Sequence, residues 1–214
     1  MKLHTPNCLI YLIRMKRTIL VILLFLSGIG VMKSQRFNGG ISAGFIASQV
    51  DGDRLSGYNK IGITGGGFVN TWYNKQWGGQ FEIRYAGKGA VDPQISNIYQ
   101  VMFIELPVMG LYRYSSKIQA ELGLYPAYLI QAQSKEQGAN PVEDNKDYHD
   151  FDIGGLAGIR YMFSEKMWVN LRFSYSLIPY YKSEEAFRCT PRFASGCYFN
   201  NVLQFSINYQ FNDS

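Results

Sequence analysis

Histidine is almost missing from this chain of 214 residues, which holds only His4 and His149. Enzymes that activate a Ser or Cys nucleophile generally set a histidine beside it. His149 lies in the acidic loop "EDNKDYHD", where a solvated side chain is the expected state. Cysteine is nearly as scarce, with Cys8, Cys189 and Cys197. None of these sits just after the N-terminal apolar run, which argues against a lipid-anchored N-terminus. Long apolar runs are missing too. The longest, residues 18–31, falls short of the ~20 residues that a membrane-spanning helix needs. No extended amphipathic helical pattern appears, and neither sign of charge dominates once the N-terminus is set aside.

What is present begins with that N-terminus. "MKRTILVILLFLSGIGVMKSQ" carries Lys16 and Arg17, then the short apolar run, then Ser34 and Gln35. A basic segment, a short apolar core and a small exit residue make a secretory signal peptide. Cleavage is expected after Ser34, with residues 1–14 an upstream extension and residues 35–214 the mature domain. A buried or anchoring helix is the alternative. Lys2, Arg14, Lys16, Arg17 and Lys33 precede the cleavage point, and no Asp or Glu does. Removing these five of the 21 basic residues leaves 16 against 16 acidic ones, so the formal charge of +5 disappears with the leader. A nucleic-acid footprint then has no support, and no nucleic-acid partner is expected.

The rest of the chain alternates. In "FNNVLQFSINYQF", Leu203, Phe205, Ile207, Tyr209 and Phe211 fall on one side, and Gln204, Ser206, Asn208 and Gln210 on the other. Successive side chains of a strand point to opposite faces. Eight such segments are expected, at 36–49, 58–73, 76–89, 99–114, 117–133, 150–163, 167–182 and 199–211. Three connections are very short, at Asn74-Lys75, Ser115-Ser116 and Ser164-Glu165-Lys166. Four are long, at 50–57, 90–98, 134–149 and 183–198. Short turns at one end and long loops at the other is the arrangement of an outer-membrane barrel.

The polar face decides what the apolar face touches. It reads as small and amidic, with sparse charges of both signs: Glu82, Glu105, Glu121 and Asp152 against Arg84, Lys88, Arg113, Arg160 and Arg172. A solvated surface would be richer in Lys and Glu. Near-balance suits an enclosed lumen, where buried charges must pair. The expectation is an all-β fold: an eight-stranded antiparallel up-and-down transmembrane β-barrel with a polar, side-chain-filled lumen and its apolar face against outer-membrane lipid. Trp72, Tyr73, Trp77, Tyr112, Tyr114, Tyr161 and Trp168 are expected as interfacial girdles. A secreted soluble barrel with the faces reversed is the alternative.

Two stretches add a resemblance. "FEIRYAGKGA" (81–90) and "VMFIELPVMGLYRY" (101–114), with "GISAGF" (40–45) as an opening strand, resemble the PorT-like outer-membrane β-barrel family of Bacteroidetes-type bacteria. The resemblance runs over residues 36–211. It implies a small eight-stranded barrel in the outer membrane, and through the family's namesake a link to protein secretion and gliding machinery. One departure is the tail, where Asn212, Asp213 and Ser214 follow Phe211 in place of a terminal aromatic residue.

No catalytic, cofactor-binding or metal-binding residues are assigned. "DGDRLSG" (51–57) and Glu143, Asp144, Asp147 and Asp150 offer oxygen ligands but match no full calcium-loop motif. "GITGGGF" resembles a phosphate loop only in its glycine count, and glycine within a strand more simply relieves crowding. Nine inward charges leave no open channel in an eight-stranded barrel. Cys189 and Cys197 flank the short loop "CTPRFASGC", and an exported protein keeps such a pair as a disulfide, with two free thiols as the alternative. The expected role is non-enzymatic: structural, binding or scaffolding, through the long loops. The alternatives are an accessory of a secretion or gliding system, with envelope or secretion-system proteins as candidate partners, and a lipid-modifying barrel enzyme.

Overall fold

Alternation becomes architecture in the computed structural model, which describes residues 36–51, 60–91, 98–135, 142–143, 149–178 and 199–211. The strands are β1 (Asn38–Asp51), β2 (Lys60–Trp72), β3 (Trp77–Val91), β4 (Ile98–Glu105), β5 (Val108–Arg113), β6 (Ile118–Lys135), β7 (Val142–Glu143), β8 (Phe151–Met162), β9 (Met167–Ser176) and β10 (Phe199–Gln210). All pairings are antiparallel. β1 lies between β2 and β10, with Phe45 opposite both Ile63 and Phe205. β2 pairs with β3 as well, and this last pairing closes the sheet on itself.

β4 and β5 are one stave of the barrel. Ile104 stands opposite Tyr128 and Val108 opposite Leu124, so the register against β6 continues across the gap. The interruption is Pro107, which has no N–H to give to the ladder. Its carbonyl still accepts from Glu82 N at 2.9 Å, and Leu106 N donates to Pro126 O at 2.9 Å. With that stave joined, eight strands close the barrel, and β7 is a short extra strand on the edge of β6.

The three short turns are held by side chains that replace the missing ladder. Asn74 Oδ1 accepts from Gln76 N and Trp77 N at 2.8 and 2.7 Å. Ser115 Oγ accepts from Lys117 N and Ile118 N, and Ser164 Oγ from Lys166 N and Met167 N. Asn and Ser favour turns because their side chains mimic a backbone acceptor in this way.

The large apolar residues lie outside: Ile61 is 72% exposed and Leu122 71%, and Ile83, Val108, Ile159, Leu171 and Phe205 are exposed with them. The barrel is narrow enough that backbones crowd inside. A Cβ on Gly66 would sit 2.1 Å from Ile83 O, so only glycine fits there. A bulge between Met102 and Phe103 shifts the register against β6. It hands the inward place to Ala132, while Gln131, which the parity of Gln119 and Glu121 would set inward, is only half-buried.

Candidate functional site: the charged lumen

β3 supplies the largest share of the lumen charges. Gln80, Glu82, Arg84 and Lys88 share its inner face, and all four are buried. Across the lumen, Arg172 on β9 makes a two-pronged contact with Glu82, with Nη1 and Nη2 each 2.9 Å from a carboxylate oxygen. The same guanidinium holds Glu121 on β6, through Nε to Oε1 and through Nη2 to Oε2 at 3.1 Å. Glu121 in turn accepts from Arg160 Nε on β8 at 2.7 Å. Arg160 Nη1 reaches back to Gln80 Oε1 at 2.9 Å, and Gln80 donates to Glu82 at 2.7 Å. This loop of contacts joins β3, β6, β8 and β9 across the barrel. Met109 Sδ, 3.4 Å from Arg160 and 3.5 Å from Arg172, packs against it.

A second group sits beside it, toward the long-loop end. Glu105 on β4, with no exposed surface, receives Arg84 Nε and Nη2 at 2.6 Å and Lys88 Nζ at 2.6 Å. Arg84 Nη1 also donates to Gln204 on β10 at 2.7 Å and lies 3.7 Å from Glu82, linking the two groups. Lys88 rests over the rings of Phe103 and Tyr125, at 5.2 and 4.8 Å from their centroids. Asp152 stands apart from the arginines and accepts from Ser176 Oγ at 2.7 Å.

Of the nine charged residues read from the sequence, the structure brings eight into the buried interior. The ninth, Arg113, is half-buried at the short-turn end, where its guanidinium lies 4.0 Å from the Trp72 ring centroid. Trp168, expected at the membrane interface, is buried inside against Phe68 at 5.2 Å. It follows the outward Met167 and so falls on the inner face. The inner face is also less uniformly polar than the sequence suggests. Val101, Phe103, Met109, Leu111, Tyr125, Leu129 and Leu156 form an apolar cluster on it. They share the strand parity of Glu105, Glu121 and Asp152, and that parity was the signal by which they could be found.

Chemically, the arrangement braces and closes. Each glutamate is already in ion-pair reach of two cationic side chains, which leaves little for polarising a substrate. Taking ions out of water costs about as much as their attraction returns, so such a network is weak evidence of extra stability. Its effect is to fill the bore. Among the described residues, no group of three or more His, Cys, Asp or Glu side chains stands where it could hold a metal ion. Residues 1–35, Asp144, Asp147, Cys189 and Cys197 lie outside the described residues, while His149 and Asp150 are exposed.

The comparisons with known proteins bear on this fold. No curated protein matches the chain. Among solved structures, it is similar to Ail of Yersinia pestis, determined with the heparin analogue sucrose octasulfate, at 12% identity over 82% of this chain and 99% of that one, TM-score 0.49. It is similar to Neisserial surface protein A at 10% identity over 84% and 100%, TM-score 0.48. It is similar to OprG from Pseudomonas aeruginosa at 10% identity over 82% and 94%, TM-score 0.38. At such identities and scores these likenesses carry no weight for function. A family model is more telling: the outer membrane protein beta-barrel domain matches residues 33–182, from the segment before β1 to just past β9. With the barrel closed and its large apolar side chains turned outward, this chain belongs to the outer membrane protein beta-barrel domain family.

Proposed function

We propose that this is a non-enzymatic outer-membrane barrel that acts as a binding or scaffolding platform through its long loops, with the lumen serving as a plug. The observation that carries the reading is the contact loop from Glu82 through Arg172 and Glu121 to Arg160, which crosses the bore with buried, mutually satisfied ions. A wall of eight strands has just enough interior for side chains, and a filled interior leaves specificity to loops. The finer reading adds export by the N-terminal signal peptide, long loops on the cell surface and a PorT-like, Bacteroidetes-type origin, all of which rest on the sequence.

Purified barrel in a planar bilayer should give no steady conductance above that of bare lipid. A stable open-pore level would overturn the plug. Cross-linking in intact cells through residues introduced in 134–149 and 183–198 should capture a partner. The same positions lost by replacing both loops with short turns should leave a folded, lipid-inserted barrel that captures nothing. The secretion-accessory reading rests on the PorT-like motifs alone, and recovery of secretion-system proteins as the captured partners is its test.

A further inference from the structure

The outer face of β8 is interrupted. Its outward residues run Phe151, Ile153, Gly155, Ala157, Ile159 and Tyr161, so the two smallest stand together between large apolar neighbours. Nothing lies within 4 Å of where a Cβ on Gly155 would be. The staves on either side do not close over the gap. Leu124 and Tyr175 stand opposite Gly155, and Leu122 and Phe173 opposite Ala157. These six residues line an open groove of about 600 Å³, which reaches Leu177 at its long-loop end. Leu177 N donates to Ile153 O at 2.7 Å, which sets the two residues level. Tyr175 is held in place by stacking on Phe199, with ring centroids 6.0 Å apart.

Position and chemistry decide what fills the groove. Strands tilted by about 40° and rising about 3.4 Å per residue climb roughly 2.6 Å per residue along the barrel axis. On that scale Ala157 stands about 10 Å and Ile153 about 20 Å above Tyr161, which is exposed at the short-turn end of β8. In an apolar band about 25 Å tall, the groove therefore runs from the middle toward the long-loop side. It is continuous with the outward face of Ile153, Ile159 and Leu171, all exposed. Among its lining residues only Tyr175 carries a polar side-chain group, so a charged or amide-bearing guest finds no set of partners there. A protein partner would need more wall. Two strand spacings by four residues of rise cover about 130 Å², against about 800 Å² per partner in a standard interface. The slot over β8 is one strand wide, about 4.8 Å, which is the width of a single extended hydrocarbon chain.

We propose that this groove is a binding site for an acyl chain of a bilayer lipid, in the leaflet on the long-loop side, an inference that rests on reading the chain as an outer-membrane barrel. Lipid tails are as apolar as leucine, so no hydrophobic gain sets the groove apart from the surrounding bilayer. Its hold comes from packing. A chain lying over Gly155 and Ala157 meets a floor and two walls, whereas a chain against an even part of the barrel is touched from one side only. The groove selects by shape, and the chain seated in it exchanges more slowly than its neighbours.

The full mature chain in dimyristoylphosphatidylcholine nanodiscs tests this in two ways. Acyl methylene protons should give stronger magnetisation-transfer peaks to the Ala157 methyl than to that of Ala120, which is also exposed, on the outer face of β6. Released from the nanodiscs into a mass spectrometer, the wild-type barrel should retain a lipid. Gly155→Leu/Ala157→Leu, which fills the groove, should lose it, while Ala43→Leu on the outer face of β1 should keep it. Equal peaks at the two alanines, or equal retention by the filled variant, would overturn the site while the barrel stays inserted. A wild-type barrel that dimerises and a filled variant that does not would overturn the lipid chain as the occupant. A chain that folds in water and does not enter nanodiscs would overturn the outer-membrane reading and the groove with it.

Discussion

Glu105 offers the sharpest test of the lumen, because two cations converge on it and, among the described residues, no other carboxylate lies within ion-pair distance of Lys88. Glu105→Leu removes the acceptor at 2.6 Å from both Arg84 and Lys88. Arg84 keeps Gln204 at 2.7 Å and a distant Glu82 at 3.7 Å. Lys88 keeps two aromatic faces and the field of Asp152. Breaking a buried pair from one side costs about 3–5 kcal/mol, mostly because the partner is left uncompensated. In urea, with a slope of about 2 kcal/mol per molar, the unfolding midpoint of the refolded barrel in detergent should fall by roughly 1.5–2.5 M. Glu105→Gln keeps the shape and one acceptor and should fall by less. The diagnostic variant is the double one. Adding Lys88→Met to Glu105→Leu removes one of the two stranded cations, so the double mutant should be more stable than Glu105→Leu alone. On the outer face, Ile104→Leu should be nearly silent, while Ile104→Arg near the middle of the membrane should cost about 2–4 kcal/mol. A Glu105→Leu barrel as stable as wild type, or a double mutant that simply adds the two losses, would refute the reasoning from buried, uncompensated charge.

Three further outcomes can be checked, the first from the same geometry and the other two from the sequence alone. Gly66→Ala places a Cβ 2.1 Å from Ile83 O, which is backbone and must move, so it should destabilise by about 1–3 kcal/mol, whereas Gly155→Ala meets nothing within 4 Å and should be neutral or gain up to about 1 kcal/mol, both read from urea midpoints. Cysteines introduced in 134–149 should react with an impermeant thiol reagent on intact cells while one at Ser115 should not, and equal reaction at both would contradict the proposed orientation of the loops. Thiol titration of the unreduced mature chain should find none free if Cys189 and Cys197 are bridged, a closure that limits the unfolded chain by roughly 2–3 kcal/mol on the chain-entropy account, and two free thiols would rule the bridge out.

How far the fold could be read from the chain depended on which features are local. Alternation is local, so Leu171 opposite in sense to Arg172, or Phe205 to Gln204, is visible in any short window. Turn chemistry is local as well: Asn74, Ser115 and Ser164 each stand three residues before the strand they launch. Register is not local. Nothing near Met102 announces the bulge against β6, so parity carried on from Glu121 would set Gln131 where Ala132 stands. Tyr125, Phe103 and Leu129 are harder to place for another reason. On a barrel an apolar residue is expected to face lipid, and only parity sets these three beside Glu121 and Glu105. Trp168 was misplaced in the same way, by residue type over position.

The charge network separates the two kinds of information further. Strand parity put Glu82, Glu121, Arg160 and Arg172 on one face without saying which touches which. Their contacts join residues as far apart as Arg172 and Glu82, 90 positions along the chain, and they meet across the bore rather than along a ladder. Such pairings come from strand tilt and barrel closure, which no window of sequence contains. Charge counting nonetheless carried a constraint that the geometry obeys. The polar face holds five bases and four acids, one cation too many for a dry interior. The structure buries Glu82, Glu105, Glu121 and Asp152 with Arg84, Lys88, Arg160 and Arg172, a balanced set, and leaves Arg113 half-buried over Trp72 at the short-turn end. At that end water and an aromatic face can stabilise a cation that the interior has no acid left to match.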